Sequence, residues 1–208
     1  MTKRNLILLI CFLSLSSAVG CGQVTASTPT ATPIPGWERF EGGDVELWLP
    51  ESYKGGNLSE DIELIVDNLR SLGPDFEQMA LIVEQNPSMY VIWAFDSEIG
   101  DSGALTNMAV TTEKVLSALT IDTYMDAALR QLPAQFQVVE RGIVSLGEYQ
   151  AGRLVMEFTI SGVAGKELMY VVKDDNTIWV ITFGTGAEDF EQRLPVFEQS
   201  VQTFRIQP

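Results

Sequence analysis

Residues 151–183 read AGRLVMEFTISGVAGKELMYVVKDDNTIWVITF, and their pattern decides the fold. Three runs rich in Val, Ile, Leu, Tyr, Trp and Phe are separated by Ser161-Gly162-Val163-Ala164-Gly165 and by Asp174-Asp175-Asn176. β-Branched and aromatic residues suit a pleated, half-buried surface, whereas Gly, Asn and Asp suit tight reversals. The spacing predicts strands over 151–160, 166–173 and 177–183, joined by hairpins. In the first of these, Leu154, Met156, Phe158 and Ile160 fall at every second position and mark one face. Hairpins in series lay neighbouring strands antiparallel.

Upstream, residues 136–143 read as a further strand. Before it, Ile121, Tyr124, Met125, Ala128, Leu129 and Leu132 recur at helical spacing behind Thr120, a capping residue. Residues 104–112 form a weaker strand. Met89-Tyr90-Val91-Ile92-Trp93-Ala94-Phe95 is an unbroken apolar run, too short for most helices, and reads as a buried central strand. Two helices precede it. One carries Ile62, Ile65, Val66 and Leu69 between a Ser59 cap and a Gly73 stop. The other starts at Pro74, carries Phe76, Met79, Ala80 and Val83, and ends at Asn86-Pro87. Further upstream, 37–40 and 45–49 flank the turn Glu41-Gly42-Gly43-Asp44, with Pro50 closing the hairpin and 53–56 reading as loop. Downstream, a helix from about Ala187 turns Phe190, Leu194, Phe197 and Val201 inward. Pro195 inside it predicts a kink or two short helices. Thr203 to Ile206 is a last short strand. Hairpins in series with helices grouped at the ends give an α+β fold, an antiparallel sheet flanked by helices.

Particular motifs then resemble a known family. Trp37-x-x-Phe40 followed by Val45-Glu46-Leu47-Trp48-Leu49-Pro50 is similar to the opening hairpin of PsbP-like domains. Tyr170-Val171-Val172, Thr177 to Phe183, and Phe197-Glu198-Gln199-Ser200-Val201-Gln202-Thr203-Phe204-Arg205-Ile206 resemble their closing half. The resemblance covers most of 37–206 and implies an α-β-α sandwich; the helices at 58–86 depart from the family's pattern and read as an insertion after the first hairpin. Relatives include a photosystem II extrinsic subunit, a yeast Ran-binding import factor and bacterial lipoproteins of unknown role. The shared positions belong to core and turns, so no functional residue carries over.

The chain start gives an address. Lys3 and Arg4 precede an apolar run from Leu6 to Leu15, and no further charge appears until Glu38. That layout is a secretory signal peptide, and the run is short of the roughly 20 apolar residues that span a membrane. Ser16-Ser17-Ala18-Val19-Gly20-Cys21 resembles the lipobox of bacterial lipoproteins, with Ala18 where leucine is usual. The resemblance implies cleavage before Cys21 and a diacylglycerol on its thiol. A cut nearby that leaves Cys21 free, or an uncleaved anchor, are the alternatives. The expected organisation is a signal peptide over 1–20, a lipidated Cys21 with a Thr/Pro-rich tether over 21–36, and one domain over 37–208. The expected place is the outer face of the bacterial cell membrane, or the outer membrane of a two-membrane cell. The tether reaches on the order of 45 Å at about 3.1 Å per residue. Without residues 1–20 the chain carries 11 basic and 28 acidic side chains, net −17. That excess argues against nucleic-acid binding and against lying flat on an anionic bilayer, and favours basic partners or cations.

For chemistry, the chain offers little. It has no histidine, and its two cysteines are Cys11 and Cys21, both outside the domain. Ser-His-Asp and Cys-His catalysis and His- or thiolate-ligated zinc are therefore excluded. No cofactor motif occurs: Gly162-Val163-Ala164-Gly165-Lys166 has the wrong spacing for a phosphate loop and is followed by Glu167. Asp96, Glu98 and Asp101 are the candidate cation ligands, although an EF-hand loop beginning at Asp96 places Asn107 where a bidentate Glu is needed. Asp174-Asp175-Asn176 reads as a hairpin tip, and Glu60, Asp61 and Glu63 as dipole-matched acids in a first helical turn. Gly184-Thr185-Gly186 reads as the cap of the last helix rather than an anion site. Trp37, Trp48, Trp93 and Trp179 read as core rather than a sugar-binding cleft. The expected function is a non-catalytic module that binds a protein partner at the membrane surface. The alternatives are a carrier of a lipid or other apolar ligand, with helices 58–86 lining its groove, and a carboxylate-based hydrolase.

Overall fold

The computed structural model describes residues 33–207, except 86, 87, 89 and 161. The expected signal peptide, Cys21, most of the tether and the Asn86-Pro87 helix stop lie outside the described residues. The elements in chain order are strands β1 (Trp37–Gly42), β2 (Val45–Pro50) and β3 (Tyr53–Gly56), helix α1 (Leu58–Ser71), a 3₁₀ turn (Pro74–Phe76), helix α2 (Glu77–Gln85), strands β4 (Ile92–Asp96) and β5 (Asn107–Lys114), helix α3 (Ile121–Leu129), strands β6 (Phe136–Leu146), β7 (Tyr149–Ile160), β8 (Val163–Asp174) and β9 (Thr177–Gly186), helix α4 (Phe190–Gln202), and strand β10 (Arg205–Ile206).

Among the described residues the strands form two antiparallel sheets, a large one ordered β3-β4-β5-β9-β8-β7-β6 and a small one ordered β1-β2-β10. The hairpins of 136–186 form as the sequence predicts, with longer strands. Both faces of the large sheet carry buried side chains at its centre, while the edge strand β6 is mostly exposed. Leu168, Tyr170 and Val172 of β8 and Trp179, Ile181 and Phe183 of β9 point to the main core, under α4 and the small sheet. On the opposite face Leu154, Val171 and Ile178 pack under Met125 of α3, while Trp93, Phe95 and Ala109 pack under α1 and α2. Helices thus cover both faces of the sheet, and the fold is α+β and PsbP-like.

The opening hairpin lies outside the large sheet and pairs instead with β10, Val45 opposite Ile206. Residues 53–56 are a strand, not a loop, paired with β4. Their glycines conceal this by composition, yet the pairing requires one of them. Gly55 has φ +153°, and a Cβ there would sit 2.2 Å from the Trp93 carbonyl oxygen. The cap of α1 is Asn57 rather than Ser59, with its side chain accepting from the Ser59 N–H at 3.1 Å. The last helix is one element from Phe190. Pro195 falls in its second turn, so the missing N–H costs one bond near the start and does not divide the helix. Gly184, Thr185 and Gly186 extend β9 instead of capping that helix.

Candidate functional site

The candidate cation loop folds inward on a cation of its own. Asp96 ends β4, is buried, and pairs with the Arg193 guanidinium of α4. Its other oxygen accepts the Glu98 N–H at 3.0 Å, and Arg193 Nη2 donates to the Glu98 carbonyl at 2.7 Å. Ser102 donates to Asp189 at the start of α4. The loop is therefore strapped to α4. Asp96, Glu98 and Asp101 line one hollow of about 440 Å³, but Asp96 is spent on Arg193. Among the described residues no three acidic side chains gather as metal ligands. In the same hollow, the Tyr53 hydroxyl is buried without a hydrogen-bond partner. Burial, helped by the Asp96 carboxylate, keeps that phenol protonated well above its usual range.

The tryptophans divide as core predicts. Trp48, Trp93 and Trp179 are buried and Trp37 is half-buried, so no aromatic cleft forms from them. The apolar stripes of α1 and α2 also face the sheet: Leu58, Ile65, Val66, Leu69, Ala80 and Val83 are all buried against Trp93 and Phe95. These six side chains pack on the sheet, while Phe76 and Met79 of the same stripe are only partly buried. Asp174-Asp175-Asn176 is a hairpin tip, with Asp175 at φ +46°.

A different concavity opens beside α2. The face of the sheet turned toward α2 and α3 runs, at one level, through Met156 of β7, Glu167 of β8, Gly184 of β9 and Asn107 of β5. One level further out, Gly165 pairs directly with Gly186. Of the three glycines around Glu167, Gly165 is covered by Phe158 and Gly186 by Ser102, while Gly184 leaves the sheet open beside the carboxylate. The result is a groove of about 450 Å³. Phe76, Met79 and Ile82 form one wall, from the 3₁₀ turn and α2. Leu105, Phe158 and Val163 line it from the other elements. Phe158 lies over Gly165, where a Cβ would meet its ring at 2.4 Å. Gly184 has room to spare, since a Cβ there would find its nearest atom, the Asn107 amide nitrogen, at 3.5 Å.

Glu167 lines this groove, and among the described residues no basic side chain pairs with it; the adjacent Lys166 pairs with Glu157 and Glu191. Burial alone pushes its carboxyl up to about 7. The half-buried Tyr90 feels the same charge, its phenol raised by burial first and by Glu167 second. Apolar side chains stand exposed at the rim: Ile82 at 41%, Val163 at 56%, and Ile160, paired with Val163, at 47%. On the other face, partly buried acids have basic partners. On the α4 side of the sheet, Arg153 joins Glu198 at 2.9 Å and Glu140 at 2.7 Å, and Tyr170 donates to Glu198.

Sequence reading passed over Glu167, seeing only a misplaced phosphate-loop position. Its signal was a lone acid at an inward position of a core strand, flanked two residues away by glycine. Among the described residues, no helix is long and apolar enough to cross a membrane.

Comparison with known proteins places the fold. No protein-family model matches the chain, and no curated protein matches it by sequence. Solved structures do. Cyanobacterial PsbP (CyanoP) from Synechocystis sp. PCC 6803 superposes with a TM-score of 0.55 at 11% identity, over 87% of this chain and 98% of its own. LpqN of Mycobacterium tuberculosis, involved in cell envelope biogenesis, superposes with a TM-score of 0.52 at 11% identity, over 83% and 91%. At such identities the likeness speaks for fold alone.

Proposed function

We propose that this chain is an exported lipoprotein, held to a membrane surface by lipid on Cys21, whose domain binds a protein partner without catalysing a reaction on it. The partner seats in the groove between α2 and the β7–β8 hairpin. The observation that carries this reading is the groove itself: an opened stretch of sheet, walled by apolar side chains, with Ile82 and Val163 exposed at its edge and Ile160, also exposed, paired with Val163. Exposed apolar side chains gathered around a concavity mark interaction sites more often than singly scattered ones do. The absence of histidine from the chain and of cysteine from the domain supports a binding role.

Chemical cross-linking in native membranes tests the reading. Val163 is at the rim and outside the core, so Val163→Asp leaves the fold intact and abolishes the partner adduct. An adduct retained at wild-type yield overturns the assignment of the groove. Deleting α1 and α2 is the poorer test, because it uncovers Trp93 and Phe95.

A further inference from the structure

We infer that the groove beside α2 recognises a partner segment in which a Lys or Arg side chain, flanked by apolar residues, reaches down to the carboxylate of Glu167. The inference rests on the docking reading above and adds the chemistry of what docks. A carboxylate in an apolar hollow is costly when ionised and unpaired. Among the described residues nothing supplies the missing cation: burial is the sole cause of its raised pKa. Asp96 is paired with Arg193, Glu198 with Arg153, and the buried Asp189 accepts from the Ser102 hydroxyl, whereas the burial of Glu167 is uncompensated.

The shape of the hollow narrows the class of cation. Glu167 sits on the floor among Gly165, Gly184 and Gly186, below walls built from Phe76, Met79 and Phe158. A lysine or arginine has the matching construction, an apolar stem for the walls and a charged head for the base. The exposed Ile82 and Val163 then take the flanking apolar residues. An anion is repelled by Glu167. A hard metal ion needs six or more oxygens, and one carboxylate beside Asn107 does not supply them. The net charge, −15 for the whole sequence and −17 without residues 1–20, adds a long-range attraction for a basic segment.

The test uses a phage-displayed random dodecapeptide library, selected at pH 8 on the full mature lipoprotein in nanodiscs. Three variants are compared with wild type: Glu167→Gln, Val163→Asp, and Gly184→Val, which fills the floor of the groove. The expected result is enrichment of peptides with one Lys or Arg between apolar residues. Their binding falls roughly ten- to a hundredfold on Glu167→Gln, the range of a charge-assisted hydrogen bond. It falls similarly when norleucine replaces the basic residue, and is lost on Gly184→Val. Selected peptides that depend on Val163 but ignore Glu167 and carry no common basic residue overturn this inference and leave the docking reading standing. Selected peptides indifferent to Val163 and Gly184 overturn both. Gln in place of Glu relieves a buried charge, so misfolding does not account for lost binding.

Discussion

Replacing Glu167 by Gln makes the cost of the groove's unpaired acid measurable. Burial moves the carboxyl from an ordinary 4.5 to about 7. The folded state therefore binds more protons than the unfolded chain between these values, and stability falls as pH rises through them. The stabilisation from the protonated acid is fully present below pH 4.5 and gone above pH 7. At 1.36 kcal/mol per pH interval the whole effect is about 3 kcal/mol, of which about 2.5 is lost between pH 5 and pH 8. Glu167 is only partly buried, and solvent reaching its oxygens reduces this to about 2 kcal/mol. Gln is a near isostere of the protonated acid and does not titrate. Relative to wild type, Glu167→Gln gains about 2 kcal/mol on moving from pH 5 to pH 8, or roughly 4–8 °C in melting temperature for a domain of this size. Thermal unfolding followed by circular dichroism at the two pH values reads it, and the difference between the proteins cancels every other titrating acid. A melting-temperature difference that is the same at both pH values, or that shrinks at pH 8, refutes the reasoning.

Three further outcomes follow from the packing and the N-terminal reading. Arg193→Met leaves Asp96 buried and unpaired, and costs about 3–5 kcal/mol by urea unfolding, with Asp96→Asn in the same chain recovering much of it. Gly55→Ala drives a Cβ to 2.2 Å from a main-chain oxygen at a φ of +153° and destabilises by about 3 kcal/mol or more, whereas Gly184→Ala changes stability by less than about 1 kcal/mol in the same assay. Cys21→Ala yields an unprocessed precursor without incorporated lipid in a metabolic palmitate-labelling experiment. A labelled, normally matured variant removes Cys21 as the anchor.

How far the sequence carries depends on what each residue is asked to do. The hairpins over 151–183 were legible because alternation and turn chemistry agree there, and α3 because Thr120 caps a clean apolar stripe. The Thr120 side chain does accept the Thr123 N–H, at 3.2 Å. Strand β3 was hidden because Gly55 and Gly56 read as loop, when Gly55 is glycine for close approach to β4 and Gly56 for close approach of the Asp61 side chain on α1. The separate sheet of β1, β2 and β10 depends on a pairing between residues some 160 positions apart, such as Val45 with Ile206, and no local pattern encodes that. The groove was illegible for a related reason. Gly165, Gly184 and Gly186 look like turn residues one by one, and only the register of β8 against β9 sets them side by side around Glu167.

The central claim is that the groove beside α2 is where a protein partner docks. A photo-activated cross-linking amino acid at Val163, compared with the same group at Leu116 in the β5–α3 connection, 80% exposed, tests it most directly. Irradiation of native membranes is expected to give a discrete protein adduct from position 163 that Gly184→Val abolishes, and none from position 116. Equal adducts from both positions, or no protein adduct from 163, contradict the account.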